Sequence, residues 1–311
     1  MSVICFGEVL VDFLSDGQTP ESFTKYAGGA PANVAVGISK LGGKSSFCGM
    51  LGNDMFGDFL HQELRDFGVN VDYCVATSVA KTALAFVSLD EQGERSFSFY
   101  RPPAADLLFK AEQFDQQMFA SHGYFHFCSN SLTEKSIHQA TMAGVELAKQ
   151  HGLIISFDMN LRLNLWPHQR YTAERIWQCL SQSHIVKLAK EELTFLSKNS
   201  HKSISDEQTI TRCLGLGVKH LIITDGDRPI TIHSQDQISQ INVSPVAACD
   251  TTAAGDSFMA GVLYYLDKQA IDHTQLNTTE IINAAEFGAK CAAVTVTRYG
   301  SFSALPSTND L

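Results

Sequence analysis

Short apolar runs rich in β-branched residues recur along the chain and alternate with longer stretches of helical periodicity. The apolar runs are VICFGEVLV, YFHF, LIISFD, HIVKLA and HLIIT, which begin at residues 3, 124, 153, 184 and 220. The helical patterns lie around 30–41, 56–67, 134–150, 171–182, 206–217 and 279–295. Strands that return after helices indicate βαβ units, in which helices cover both faces of a mainly parallel sheet. We therefore expect one doubly wound α/β domain over residues 1–311.

One region breaks this alternation. TALAFVSL and ERSFSFY flank DEQG and predict a β-hairpin over 82–100, with its turn near 91–93. A polar stretch, 15–26, follows the first apolar run. Together they predict a small antiparallel lid inserted in the domain, with elements at approximately 13–28 and 73–103. Such a lid can close over a ligand, although an ordinary edge hairpin has the same pattern.

A further helix, mainly apolar, is predicted after CDTTAAGD, because apolar residues recur at helical spacing from 258 to 266. Its first turn should lie near 254–256, with residues 250–252 as candidates for its cap. The first turn of a helix has unpaired N–H groups and the positive end of the dipole, so small residues there can hold a phosphate. Asp256 in this turn either complements the dipole or takes part in catalysis.

Composition limits the class of protein. Apolar residues make up 44% of the chain and charged residues 18%, as in ordinary globular proteins. The net charge of −10 argues against a nucleic-acid partner, since phosphate backbones are held by lysine and arginine. The eight cysteines form no Cys-x-x-Cys pair, which favours the reducing cytoplasm. No apolar run is long enough for a bilayer and the N-terminus resembles a buried strand, so we expect no membrane partner.

Two nucleotide-binding motifs are absent. GISKLGGKSS spaces its glycines as a phosphate loop does, but Gly43 stands where that loop requires lysine. No Gly-x-Gly-x-x-Gly follows a strand, which argues against a dinucleotide-dependent dehydrogenase. A third glycine-rich stretch, YAGGAPANVAVG, lets backbone approach a ligand closely and places Asn33 in the first turn of a helix. It suits hydroxyl recognition, or else a tight connection between strand and helix.

Three motifs together resemble the signatures of the ribokinase-like (PfkB) carbohydrate kinases. They are GGAPAN at 28–33, GMLGNDMFG at 49–57 and DTTAAGDSF at 250–258, and the resemblance runs the whole length. FYRPPAAD, FDMNLRLNLW, VKLAKEEL and RYGSFSALP look most like fructokinases. The resemblance implies a ribokinase-like fold and transfer of the γ-phosphate of ATP to fructose, giving fructose 6-phosphate. It implies ATP and Mg²⁺ as cofactors, with K⁺ as a further candidate.

The resemblance also implies roles for individual residues. Asp256 matches the general base, and the N–H groups of residues 254–256 match the anion hole that stabilises the phosphoryl group. Glu192 matches an acid that positions magnesium through water. The residues matching the sugar site are Asp12, Gly28, Gly29, Asn33, Arg101, Asn160 and Arg162. Those matching the ATP site are Thr224, Gly226 and Ala289, and those matching a monovalent-cation site are Asp250 and Thr252. The catalytic turn comprises Ala253, Ala254 and Gly255.

The chain departs from the family pattern at three places. Ala189 replaces an asparagine near the metal, and Asp225 and Asp227 add negative charge near the nucleotide. Ala253 replaces a glycine, and we expect the added methyl group to be tolerated in a helical turn. Aminoimidazole riboside kinase, ketodeoxygluconate kinase and a sugar sensor without turnover remain alternatives. Relatives that pair their lids suggest a homodimer.

Overall fold

The computed structural model describes residues 2–17, 20–89, 95–200, 203–235 and 237–311. The strands are β1 Val3–Phe6, β2 Leu10–Ser15, β3 Phe23–Gly28, β4 Ser45–Gly52, β5 Asn70–Thr77, β6 Leu84–Leu89, β7 Arg95–Tyr100, β8 Tyr124–Cys128, β9 Ile154–Asp158, β10 Ile185–Ala189, β11 His220–Asp225, β12 Arg228–Ser234 and β13 Ile238–Ile241. The α-helices are α1 Ala30–Lys40, α2 Met55–Asp66, α3 Gln116–Ser121, α4 Lys135–Gln150, α5 Thr172–Leu180, α6 Lys190–Lys198, α7 Asp206–Gly215, α8 Ala254–Lys268 and α9 Thr278–Thr295.

The large sheet has the predicted doubly wound architecture. Within the described residues it contains nine strands in the order β13-β12-β11-β10-β9-β8-β1-β4-β5. Every neighbouring pair from β11 to β5 is parallel, and only β12 and β13 run antiparallel to their neighbours. Strands β1, β8 and β9 are buried along their whole length, because helices cover the sheet on both faces. Two apolar cores result, one on each face.

The first apolar run forms two strands in different sheets, where its pattern suggested one. The chain turns at Gly7, whose φ of 144° is unfavourable for other residues. A Cβ at this position would lie 2.8 Å from Pro31 Cγ, so the turn also packs tightly on α1. This break sends β2 out of the large sheet, and Asp12 with it.

The lid is a separate sheet with the order β3-β2-β6-β7. β6 and β7 form the predicted antiparallel hairpin, whose predicted turn near 91–93 lies outside the described residues. The pair β2 and β6 is parallel, so the lid is mixed where an antiparallel sheet was expected. Residues 73–77, predicted to belong to the lid, pair with β4 at the edge of the large sheet. Among the described helices, none has the length and hydropathy needed to span a bilayer.

Candidate active site

A polar cavity of about 440 Å³ opens where the carboxyl ends of the parallel strands meet the lid. Asn160 and Ala189 reach it from the ends of β9 and β10, and Asp12 and Phe99 reach it from the lid strands. The first turn of α8 forms another wall. Open α/β sheets bind their ligands at this edge, because loops from several strands converge there.

Asp256 lies in the first turn of α8 with its carboxylate buried. Asn33 Nδ2 donates a hydrogen bond of 2.7 Å to Oδ2, and Asn160 Nδ2 donates one of 3.3 Å to Oδ1. Burial raises the pKa of Asp256 from 3.8 to about 7; the bond from Asn33 opposes this and the nearby Asp158 adds to it. A fixed carboxyl group with a pKa near neutrality is suited to accept a proton from a hydroxyl group.

The first turn of α8 has no side-chain cap, so the predicted capping by residues 250–252 is wrong. Asp250 instead accepts N–H bonds from Thr252 at 2.8 Å and Gly300 at 3.0 Å. The helix begins after Ala253, which adopts the left-handed conformation with φ 59°. Its methyl group is therefore in a strained backbone position, not in the helical turn that the sequence suggested. The uncapped N–H groups leave the turn able to bind an anion.

The glycines at the start of α1 make room for polar groups. A Cβ at Gly28 would lie 2.1 Å from Asp12 Oδ2, so this glycine makes room for the Asp12 carboxylate at the cavity wall. Gly29 has φ 111°, and a Cβ there would lie 2.7 Å from the carbonyl oxygen of Glu8. Asn33 is buried with its Oδ1 lacking a hydrogen-bond partner among the described residues. That oxygen is free to accept a bond from a ligand hydroxyl.

Arg101 does not line the cavity, although the sequence suggested a substrate contact. Its guanidinium is buried and bonds Asp106 Oδ2 through Nε at 2.8 Å and Nη2 at 2.6 Å. Nη2 also donates to the Asn130 carbonyl at 2.8 Å. The Nε and Nη2 donors are therefore engaged by protein groups, so Arg101 supports the loop behind the site. Arg162, by contrast, is exposed and lines the cavity.

Sequence reasoning missed several polar residues of the cavity, among them Glu8, Asn130 and Lys187. Asn130 Nδ2 donates to Glu8 Oε1 at 2.9 Å, while Asn130 Oδ1 is buried without a partner in the described part of the chain. Lys187 Nζ lies 3.1 and 3.2 Å from the two carboxylate oxygens of Asp158. The usable signal was a charged or polar residue in or just after a strand that is otherwise buried.

Glu192 lines the cavity from the first turn of α6, and both its carboxylate oxygens accept backbone bonds. Oε1 accepts from the Leu161 N–H at 2.6 Å and Oε2 from the Ala189 N–H at 2.7 Å. Burial raises the pKa of Glu192, and Lys187 opposes that effect. Each oxygen keeps one lone pair for a water hydrogen. These residues fit a metal ion held through water better than one ligated directly, and the described residues contain no cluster of three metal-binding side chains.

A second, mainly apolar cavity of about 320 Å³ adjoins the first. The three residues matched to an ATP site, Thr224, Gly226 and Ala289, line it together with apolar side chains of α8 and the preceding loop. Asp225 forms an ion pair of 3.3 Å with Arg228, which offsets part of the added negative charge. The two cavities share Ala254 and Gly255, so they meet at the first turn of α8. Asp250 and Thr252 border a separate small cavity under the lid.

Comparison with known proteins agrees with this geometry. The model of the pfkB family of carbohydrate kinases matches residues 1–308. Probable fructokinase-6 of Arabidopsis thaliana, a chloroplastic protein, is 38% identical over 98% of this chain and 80% of its own length.

Solved structures are similar over the whole chain. Fructokinase from Xylella fastidiosa with bound ATP has a TM-score of 0.95 and 42% identity, over 99% of this chain and 96% of that one. A double mutant of Vibrio cholerae O395 fructokinase, in fructose, ADP and potassium ion bound form, has a TM-score of 0.88 and 31% identity, over 99% and 96% of the two chains. The similarity therefore covers both sheets.

Proposed function

This chain belongs to the pfkB family of carbohydrate kinases and is an ATP-dependent sugar kinase, and from that premise we propose that its acceptor is fructose, giving fructose 6-phosphate. The observation that carries the proposal is the meeting of a polar and an apolar cavity at one helix turn, with Asp256 on the polar side. A sugar in the first cavity and a nucleotide in the second would bring hydroxyl and γ-phosphate together there. Alignment of this kind supplies much of the catalysis in phosphoryl transfer.

Asp256 acts as the general base in this proposal. The bonds from Asn33 and Asn160 fix its carboxylate, and it takes the hydroxyl proton as the sugar oxygen attacks phosphorus. The bond between phosphorus and the bridging oxygen of ADP breaks, and its electron pair leaves with ADP. The N–H groups of Gly255 and Asp256, in the first turn of α8, stabilise the negative charge on the transferred group.

Sugar hydroxyls are recognised by buried polar groups that line the polar cavity. Asn33 Oδ1 and Asn130 Oδ1 are buried acceptors without partners among the described residues. Asp12 and Glu8 supply carboxylates to the same cavity. Acceptors of this kind penalise a ligand that lacks the matching hydroxyl, so they favour one polyol over its deoxy analogues.

The nucleotide lies in the apolar cavity, with its base against Ala289 and the loop containing Thr224 and Gly226. Glu192 would hold Mg²⁺ through water, because Mg²⁺ retains several waters in such sites. K⁺ is proposed at Asp250 and Thr252, supported by the potassium-bound fructokinase relative. Bound magnesium would offset the charge that builds up on the phosphates.

Compartment and assembly belong to the same proposal. All eight cysteines are free thiols and six are fully buried, which favours the cytoplasm.

The lid exposes Phe23 and Tyr100, and these apolar groups support a homodimer formed through the lid. Sedimentation of the purified chain, with Tyr100→Lys as the disrupting variant, tests the dimer.

The test of the function is ADP release with ATP and magnesium over a panel of acceptors. The panel contains fructose, aminoimidazole riboside, ketodeoxygluconate, ribose and adenosine. The highest kcat/KM on fructose supports the proposal. A higher kcat/KM on another acceptor would make that acceptor the substrate in place of fructose. Asn130→Ala should lower kcat/KM for fructose by about 10- to 100-fold and leave the KM for ATP unchanged. Sugar binding without any turnover would leave a sugar sensor as the function.

A further inference from the structure

Lys187 lies where the sugar and nucleotide cavities meet. It is the third residue of β10, its side chain is buried, and it lines the polar cavity. A Cβ at Gly255 would lie 2.8 Å from Lys187 Nζ. Since Gly255 lines both cavities, the ammonium group is beside their common wall.

The ammonium group has donor capacity left for a ligand. Its two hydrogen bonds within the described residues both go to the Asp158 carboxylate, at 3.1 and 3.2 Å. An ammonium has three N–H donors, so at least one remains. Burial would lower the pKa of Lys187, but the nearby carboxylates of Asp158 and Glu192 outweigh burial and raise it. The group therefore remains charged at neutral pH.

A buried ion pair can be purely structural, but Gly255 argues for more. Apart from Lys187, the nearest atom to a Cβ at this position is Asp158 Oδ2 at 3.9 Å. The missing methyl group therefore lets the ammonium lie directly against the helix turn. An anion bound at the N–H groups of that turn would contact the ammonium as well.

We propose that Lys187 is a catalytic residue, whose ammonium donates a hydrogen bond to a non-bridging oxygen of the γ-phosphoryl group during its transfer. The inference rests on the proposed function. The phosphoryl group passes from the bridging oxygen of ADP to the sugar oxygen, and Asp256 takes the hydroxyl proton. Lys187 keeps its proton throughout and stabilises negative charge on the moving group, while Asp158 holds the ammonium in place.

The test compares Lys187→Met with Lys190→Met, a matched change at an exposed lysine on α6 that pairs with Asp206. Lys187→Met should lower kcat by about 100- to 1,000-fold. Dissociation constants for ADP and fructose, measured by calorimetry, should change less than about threefold, because neither ligand contains the γ-phosphoryl group. Lys190→Met should leave kcat unchanged. If the unpaired Asp158 prevents folding, Lys187→Met is combined with Asp158→Asn.

A second comparison uses Gly255→Ala, alone and in the Lys187→Met background. We expect a large loss of kcat in the wild-type background and little further loss in the variant, since the methyl group acts by displacing Nζ. Additive losses would contradict the proposal, as would a Lys187→Met enzyme whose kcat is unchanged.

Three further results would also overturn it. Equal losses in kcat and in affinity for ADP and fructose would mean a structural ion pair. A pH profile of kcat that keeps its plateau and only moves its acidic limb would mean that Lys187 acts through Asp256, whose charged neighbours are Asp158 and Arg162. A wild-type protein inactive on every acceptor would overturn the proposed function itself, and this inference with it.

Discussion

Asp256→Asn separates the proposed catalytic role of a buried carboxylate from its effect on stability. The substitution keeps the shape of the side chain and removes its charge. One of the two donors, Asn33 Nδ2 or Asn160 Nδ2, then faces an N–H group. Asn33 Oδ1 has no partner among the described residues, so a half-turn of that amide lets it accept the new N–H bond. We therefore expect the variant to fold.

The stability effect follows from the pKa of Asp256. Its value in the folded state, about 7, is raised from 3.8, so the folded protein binds the proton more tightly than the unfolded chain. Its contribution to stability is therefore fully present below about pH 3.8 and is lost as pH rises through 7. The difference between these two pKa values corresponds to roughly 4 kcal/mol in the free energy of unfolding. At pH 8, Asp256→Asn should raise Tm by up to about 6 °C, and by less than half of that at pH 5.

The kinetic effect has the opposite sign. A general base must be ionised, so kcat/KM of the wild-type enzyme should fall tenfold for each pH unit below about 7. It should therefore reach about 1% of its plateau at pH 5. Asp256→Asn should lower the plateau by about 100- to 10,000-fold and abolish this acidic limb. One substitution thus stabilises the protein and inactivates it.

Both effects are measured on the same preparations, by ADP release and by thermal unfolding at pH 5 and pH 8. Asp58→Asn is the matched control, because Asp58 is an exposed carboxylate in the first turn of α2 and lies in neither cavity. Its activity and the pH dependence of its Tm should match those of the wild type. A kcat for Asp256→Asn within tenfold of wild type would refute the base assignment. A gain in Tm that is equal at both pH values would refute the burial argument.

Three further substitutions test the surrounding structure. Ala253→Gly should raise the free energy of unfolding in urea by about 1 kcal/mol, because it relieves the backbone strain of an alanine in the left-handed conformation, with φ 59°. An unchanged free energy of unfolding would mean that Ala253 is not strained. Gly28→Ala should raise KM for the sugar by about tenfold or more and leave KM for ATP unchanged, because the added Cβ displaces Asp12 Oδ2. Equal shifts in both constants would mean that the substitution distorts the whole site. Arg101→Met should lower the free energy of unfolding in urea by about 3–5 kcal/mol, because it leaves Asp106 unpaired. A raised KM for the sugar at unchanged stability would instead mean that Arg101 contacts the substrate.

The main elements could be predicted because their patterns reflect burial directly. The run LIISFD is buried on both faces as β9, and the pattern at 134–150 corresponds to α4. The run VICFGEVLV could not be divided, because β1 and β2 are both apolar and the break depends on the contact between Gly7 and Pro31. Periodicity records which faces are buried, and it does not record which sheet buries them.

The site was predictable where a motif supplied the residue, as at Asp256, Asn33 and Asn160. Arg101 shows the limit, since an arginine after a strand can face a ligand or an internal carboxylate, and only the fold places Asp106 beside it. Lys187 was missed because VKLA is an ordinary buried strand by pattern. A charge in such a strand must have a partner or a function, and that physical requirement was the available signal.

The charged groups where the two cavities meet indicate whether a metal ion binds to the protein alone or together with the nucleotide. Asp158, Glu192 and Asp256 contribute carboxylates there, against the ammonium of Lys187 and the exposed Arg162. Because Asp158 is occupied by Lys187 and Glu192 by two backbone N–H groups, neither offers a vacant carboxylate for direct ligation. A divalent ion should therefore bind weakly to the protein alone and tightly with the nucleotide, whose phosphates supply the missing ligands. Magnesium titration by calorimetry should show micromolar to millimolar binding only when ATP or ADP is present, and tight binding to the free protein would refute this argument.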